Sequence, residues 1–112
     1  MELVNRKVLV KLKNKEKGNK LLCDAIDKLI KDIESNDWKT KEQVKQSRPD
    51  ADQVHTDGYY FFNIQVHRTM ILLELSDGEA DIIWAGTHDK YEATFKNDKN
   101  VIAKWLKDKG LI

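Results

Sequence analysis

From Lys20 to Ile33 the apolar residues recur as Leu21, Leu22, Ala25, Ile26, Leu29, Ile30 and Ile33, with Lys28, Lys31 and Asp32 between them. That spacing is helical for more than three turns and predicts an amphipathic helix with one buried stripe. At Tyr59 the period changes to two. Tyr60, Phe62 and Ile64 fall on one face of a strand, and Tyr59, Phe61 and Asn63 on the other. A second apolar strand covers about Arg68–Leu75, Ser76-Asp77-Gly78-Glu79 supplies a hairpin turn, and a third strand covers about Ala80–Ala85. Val101, Ile102, Trp105 and Leu106 form the stripe of a last helix, which Asn97 or Asp98 can cap.

Earlier in the chain, Leu3 and Val4 suit a brief strand, and Val8, Leu9 and Leu12 suit a helix beginning near Asn5. The polar stretch Asn14–Asn19, with Gly18 inside it, separates this helix from the long one. Thr40-Lys41-Glu42-Gln43 has the form of a capping box opening a short helix. Arg48-Pro49 ends that helix, because the residue before proline avoids the helical region. Helices, then an antiparallel three-strand meander, then one or two helices predict an α+β fold with helices packed on one sheet face. Tyr59 and Phe61 would then line the opposite face, an aromatic patch to which a partner segment could bind.

A chain of 112 residues is long enough for one domain, residues 1–112, with one core. No apolar run approaches the ~20 residues of a membrane span. Glu2, Asn5, Arg6 and Lys7 leave no room for the apolar region of a secretory leader. The single cysteine, Cys23, cannot pair within the chain and lies off the centre of the helical stripe, so it reads as a partly buried filler. These features lead us to expect a cytoplasmic protein with no membrane partner. No Cys/His group has metal-ligand spacing, so neither a metal nor a cofactor is expected. The net charge is +1, but residues 1–48 carry 13 Lys/Arg against 8 Asp/Glu, residues 49–95 carry 2 against 9, and residues 96–112 carry 5 against 2. Basic helices flanking an acidic strand segment can meet a polyanion, or the lysines can simply solvate helix faces.

Gly86 closes the third strand, and Thr87 can cap a short helix after it. On that helix His88, Tyr91 and Glu92 stand at i, i+3 and i+4, on one face. In an antiparallel meander the start of the second strand and the end of the third share one sheet end. Arg68, directly after His67, is therefore expected to face the His88 helix. Such a set suits metal-free cleavage of RNA, in which the ribose 2′-OH attacks its own phosphate. His88 and Glu92 would share the acid and base roles. Arg68 would hold two phosphoryl oxygens, and Tyr91 would stack on a base or donate a hydrogen bond. The same residues also allow a purely structural reading, with Arg68 salt-bridged to Glu92 or Glu74 and His88 an ordinary first-turn residue. His67 fits either an RNA contact or a structural turn. His55 reads as a solvated loop histidine, Trp84 and Trp105 as core anchors, and Trp38 as cover for the core edge.

Tyr60-Phe61-Phe62-Asn63-Ile64, then Arg68 leading into Met70-Ile71-Leu72-Leu73, then Gly86-Thr87-His88-Asp89-Lys90-Tyr91-Glu92 together resemble HigB-type toxins of the RelE superfamily. Asn36-Asp37-Trp38-Lys39-Thr40 after the long helix, and Pro49 and Asp52 before the strands, extend the likeness over nearly the whole chain. The Thr-His-x-x-Tyr segment is its most specific part. The resemblance implies a RelE-like fold and an mRNA interferase of a bacterial toxin–antitoxin pair, acting on the ribosome. It also implies a helix-turn-helix antitoxin of the HigA type, with operator DNA bound jointly with it. By position, Arg68 matches the family's phosphate-binding arginine, and His88 and Tyr91 its active-site pair. Glu92 stands where aspartate is usual, and Lys90 sits where a residue can touch the RNA backbone. The turn Gln65-Val66-His67 is shorter than the family's, and the chain is less basic than many relatives. A non-cutting RNA- or protein-binding module of the same fold is therefore the alternative.

Overall fold

The computed structural model describes residues 1–112. Its elements are β1 (Glu2–Val4), α1 (Lys7–Lys15), α2 (Lys20–Glu34), α3 (Lys41–Ser47), β2 (Asp52–His55), β3 (Tyr59–Ile64), β4 (His67–Glu74), β5 (Glu79–Gly86), α4 (His88–Phe95) and α5 (Lys99–Asp108). They form one five-stranded sheet in the order β1-β5-β4-β3-β2. The β3–β4–β5 meander is antiparallel, as its hairpin turns require. β1 lies parallel to β5, with Leu3 opposite Ala80, so the sheet is mixed rather than purely antiparallel. β2 extends the other edge, paired antiparallel to β3 with a shift in register between Gln53 and His55. Its sequence, Asp-Gln-Val-His, lacks the alternation of a half-buried strand, and only Val54 is buried.

Local signals set the helix limits. Asn19 caps α2 by accepting from the Leu22 amide, and Thr40 and Gln43 close both halves of the capping box on α3. Asp98 caps α5 through the amides of Asn100 and Val101. Leu22, Ile26, Leu29 and Ile33 of α2 are fully buried, whereas Leu21 points outward at 65% exposure. The Cys23 thiol is half-buried and lies 3.7 Å from the carbonyls of Lys13 and Glu16.

The expectation of helices on one sheet face is not met, because both faces are covered. On one, α1, α2 and α3 pack on Tyr60, Phe62, Ile64, Ile71 and Leu73, with Trp38 inside this core at 2% exposure rather than at its edge. On the other, Phe95 of α4 and Ile102 and Leu106 of α5 pack on Tyr59, Phe61 and Met70. The period of two placed the β3 side chains correctly, but Tyr59 and Phe61 are core and not an open patch. Covering such an aromatic stabilises the fold by about 1.5–3 kcal/mol per side chain, enough to draw a helix over that face. Trp84 and Trp105 are partly buried against this second core.

Arg48 ties the helical layer to the sheet. It is 8% exposed, its Nη1 donates to Asp32 Oδ2 at 3.0 Å, and its Nη2 donates to Asp50 Oδ2 at 2.8 Å and to the Asn63 carbonyl at 3.0 Å. Burial raises the Asp32 pKa, but hydrogen bonds from Lys28 and Arg48 outweigh it and hold the carboxyl below its ordinary value. A depressed carboxyl stabilises the fold above its unfolded pKa and ceases to do so as pH falls through the folded one. Urea unfolding from neutral pH downward should therefore show an acid loss of stability that Asp32→Asn diminishes. Arg48→Ala, which removes the cation shared by Asp32 and Asp50 and the donor to the Asn63 carbonyl, should cost about 3 kcal/mol at neutral pH.

Candidate active site

Three backbone decisions assemble the site. The β3–β4 hairpin closes on the two residues Gln65 and Val66, with Ile64 paired to His67 and Gln65 at φ 64°. Tight closure keeps Asn63 opposite Arg68. In the next pair of strands Arg68 stands opposite Gly86, which brings the α4 entry to the same sheet end. At Gly86 a Cβ would lie 2.6 Å from the Trp84 ring, so only glycine lets that ring fold back along β5. Thr87 then caps α4, its hydroxyl accepting from the Lys90 amide.

Arg68 is held by contacts on several sides. Its Nε donates to Asn63 Oδ1 at 3.2 Å, and its Nη1 donates to the Tyr91 hydroxyl at 2.9 Å. Its guanidinium carbon lies 5.0 Å from the centroids of both the Phe61 and Tyr91 rings. The nearest carboxylate is Asp52, 3.5 Å from Nη2. Neither Glu92 nor Glu74 pairs with Arg68, so the sequence-based salt bridge is replaced by this one from the edge strand. The guanidinium is thus fixed in orientation by a neutral oxygen, a phenol and two ring faces.

Tyr91 is 3% exposed. Its ring stands edge-to-face on Phe61 at 5.0 Å, which leaves no open face for a nucleobase. Its hydroxyl donates to Asn97 Oδ1 at 2.8 Å while accepting from Arg68. Asn97 adopts φ 49°, just after Lys96 at φ 52°, so a left-handed turn at the end of α4 folds its amide back onto Tyr91. Asn63 and Asn97 were not anticipated as site residues. The left-handed tendency of asparagine after a helix was the only available hint for Asn97.

His88 and Glu92 occupy the outer face of α4, both about half exposed, with His88 Nε2 4.0 Å from Glu92 Oε1. His67 begins β4, and its Nδ1 accepts from the His88 backbone amide at 2.8 Å. The proton of neutral His67 is thereby placed on Nε2, and one otherwise unpaired amide of the first α4 turn gains a partner. Lys90 points away from Arg68, toward α1. The fold therefore gathers Arg68, Tyr91, His67, His88 and Glu92 at one sheet end, as an oriented, partly buried cation near an exposed histidine–carboxylate pair. Lys90 stands apart from that group. His55 is a half-buried strand residue, its Nδ1 accepting from the Asp57 amide at 3.1 Å.

A five-stranded mixed sheet with helices on both faces, and a guanidinium held at the meander's end beside a short polar helix, is consistent with a RelE-like toxin fold. Residues 23–94 match the model of the HigB toxin family, the RelE-like toxic component of a toxin–antitoxin system. The chain belongs to that family, and membership implies an antitoxin partner. No curated protein matches the chain. No helix is long and apolar enough to cross a membrane.

His67→Ala should loosen the start of α4 without unfolding the sheet. Amide hydrogen exchange should quicken at His88–Lys90, with a stability loss of about 1 kcal/mol in urea. Asn97→Ala should cost a similar amount and leave exchange at His88 unchanged.

Proposed function

We propose that this single domain is a cytoplasmic, metal-free endoribonuclease, the toxin of a type II pair, that cuts mRNA on the translating ribosome. The observation carrying the reading is the oriented Arg68 guanidinium at the sheet end where the exposed His88–Glu92 pair begins α4. The 2′-oxygen forms a bond to phosphorus as His88 or Glu92 removes its proton. The 5′-oxygen leaves with a proton from the other residue of that pair. Arg68 stabilises the phosphorane charge, and Tyr91 acts through its hydroxyl by keeping Arg68 in place. The products are a 2′,3′-cyclic phosphate and a 5′-hydroxyl. The partner is a helix-turn-helix antitoxin of the HigA type, through which the pair binds operator DNA. With Tyr59 and Phe61 buried, that partner docks elsewhere than on the aromatic face.

One observation favours the non-cutting alternative. Nε and Nη1 of Arg68 are already engaged, and Nη2 faces Asp52. Under that reading Arg68 is a structural clamp. Expression in a bacterial host and cleavage of a translated mRNA separate the two. The nuclease reading predicts growth arrest and 2′,3′-cyclic ends. Both should fall about 100-fold or more in His88→Ala and Arg68→Ala variants that remain folded. Folded wild-type protein that neither arrests growth nor cuts translated mRNA would establish the clamp.

A further inference from the structure

A cleft of about 320 Å³ opens between α1 and the entry to α4. Its apolar lining is Val8, Leu12 and Ala85, and its charged lining is Lys11, Lys15, Lys90 and Glu16. Five other lysines (Lys13, Lys20, Lys28, Lys39 and Lys104) hold a carboxylate within 4.0 Å. Lys11, Lys15 and Lys90 hold none, as do other surface lysines; what sets these three apart is that they converge on one cleft with an apolar floor, which Glu16 also lines. Lys11 and Lys15 are also i and i+4 on one helix, an arrangement that costs a few tenths of a kcal/mol. Three unneutralised cations around an apolar floor suit a ligand that is anionic at one end and flat and apolar at the other.

The cleft lies on the opposite sheet face from the Arg68 guanidinium. Ala85 packs with the α1–α2 core, whereas Arg68 sits over Phe61 and Tyr91 of the other. The two are nevertheless neighbours at one sheet end, since Arg68 pairs with Gly86, which also lines the cleft. A single strand of RNA presented to Arg68 can run over Thr87 and His88 and drop its next nucleotide between α1 and α4. We infer that this cleft is a nucleotide subsite. Lys11, Lys15 and Lys90 neutralise the phosphate there, and the base lies on Val8, Leu12 and Ala85. The choice of RNA as the polyanion rests on the ribonuclease reading.

A 2′-O-methyl oligouridine, which cannot attack its own phosphate, reports binding without cleavage. Its affinity for the full chain is measured by fluorescence anisotropy between about 50 and 200 mM salt. Each lost phosphate contact on a single strand lowers the slope of log K against log salt by about 0.7. The variant K11Q/K15Q/K90Q should therefore lose about 0.7 of slope, for the one phosphate that the three lysines share. K31Q/K41Q/K107Q, which removes three exposed lysines outside the cleft, should lose less than half as much. Equal losses in the two variants, an unchanged slope in the first, or no binding by wild type at the lowest salt would each overturn the subsite. The nuclease reading fails separately. A protein that binds through the cleft but never cuts translated mRNA retains the subsite and loses the enzyme.

Discussion

Burial of β3 on both faces is the constraint on which the rest of the molecule depends. Tyr59, Tyr60, Phe61 and Phe62 are four consecutive aromatics, none more than 5% exposed. A strand of that kind is stable only inside a layered structure with helices above and below it. The N-terminal helices cover Tyr60 and Phe62, which leaves Tyr59 and Phe61 to α4 and α5. Phe61 then meets the rings of Tyr91, Phe95 and Trp84 edge-on. The helix bearing His88 and Glu92 is positioned by this aromatic packing, and Arg68 finds its two ring faces there as well. The polar site and the second core are therefore one construction.

Charge is sorted along the sheet as well as across it. At one end of the β4–β5 pair stand Arg68 and Gly86; at the other, Glu74 faces Glu79 with Asp77 in the turn between them. Burial, followed by the nearby Asp77 and Glu79 carboxylates, raises the Glu74 pKa. The acidic excess of residues 49–95 is thus not spread evenly around Arg68. The cluster at the hairpin end repels a polyanion. The near-neutral net charge of the chain hides this polarity.

Much of the fold was legible because its signals are local. The α2 stripe, the Thr40 capping box and the period of two in Tyr59–Ile64 each lie within a few residues, and each element formed as those signals specify. What was not legible depends on distant partners. The brief Leu3–Val4 strand was legible, but not its parallel pairing with β5, and β2, which exists through pairing with β3, has no pattern strong enough to stand alone. Both helices of the second layer were legible, but not the sheet face they cover, since α4 shows no apolar stripe beyond Tyr91 and Phe95. At the site, strand direction correctly brought Arg68 and the His88 helix to one end. The depth of Tyr91, the part of Asn63 and Asn97, and the separate direction of Lys90 depend on side-chain packing that spacing does not encode.

The helices that close the second core follow the strands they cover in the chain, and so are synthesised after them. Until α4 and α5 leave the ribosome, Tyr59, Phe61 and Met70 have no cover, and Arg68 lacks the phenol that fixes it. A nascent chain stopped short of α4 would carry a bare aromatic sheet, a form suited to aggregation or chaperone capture. The geometry at Arg68 therefore comes into being only once α4 has followed the strands out of the ribosome.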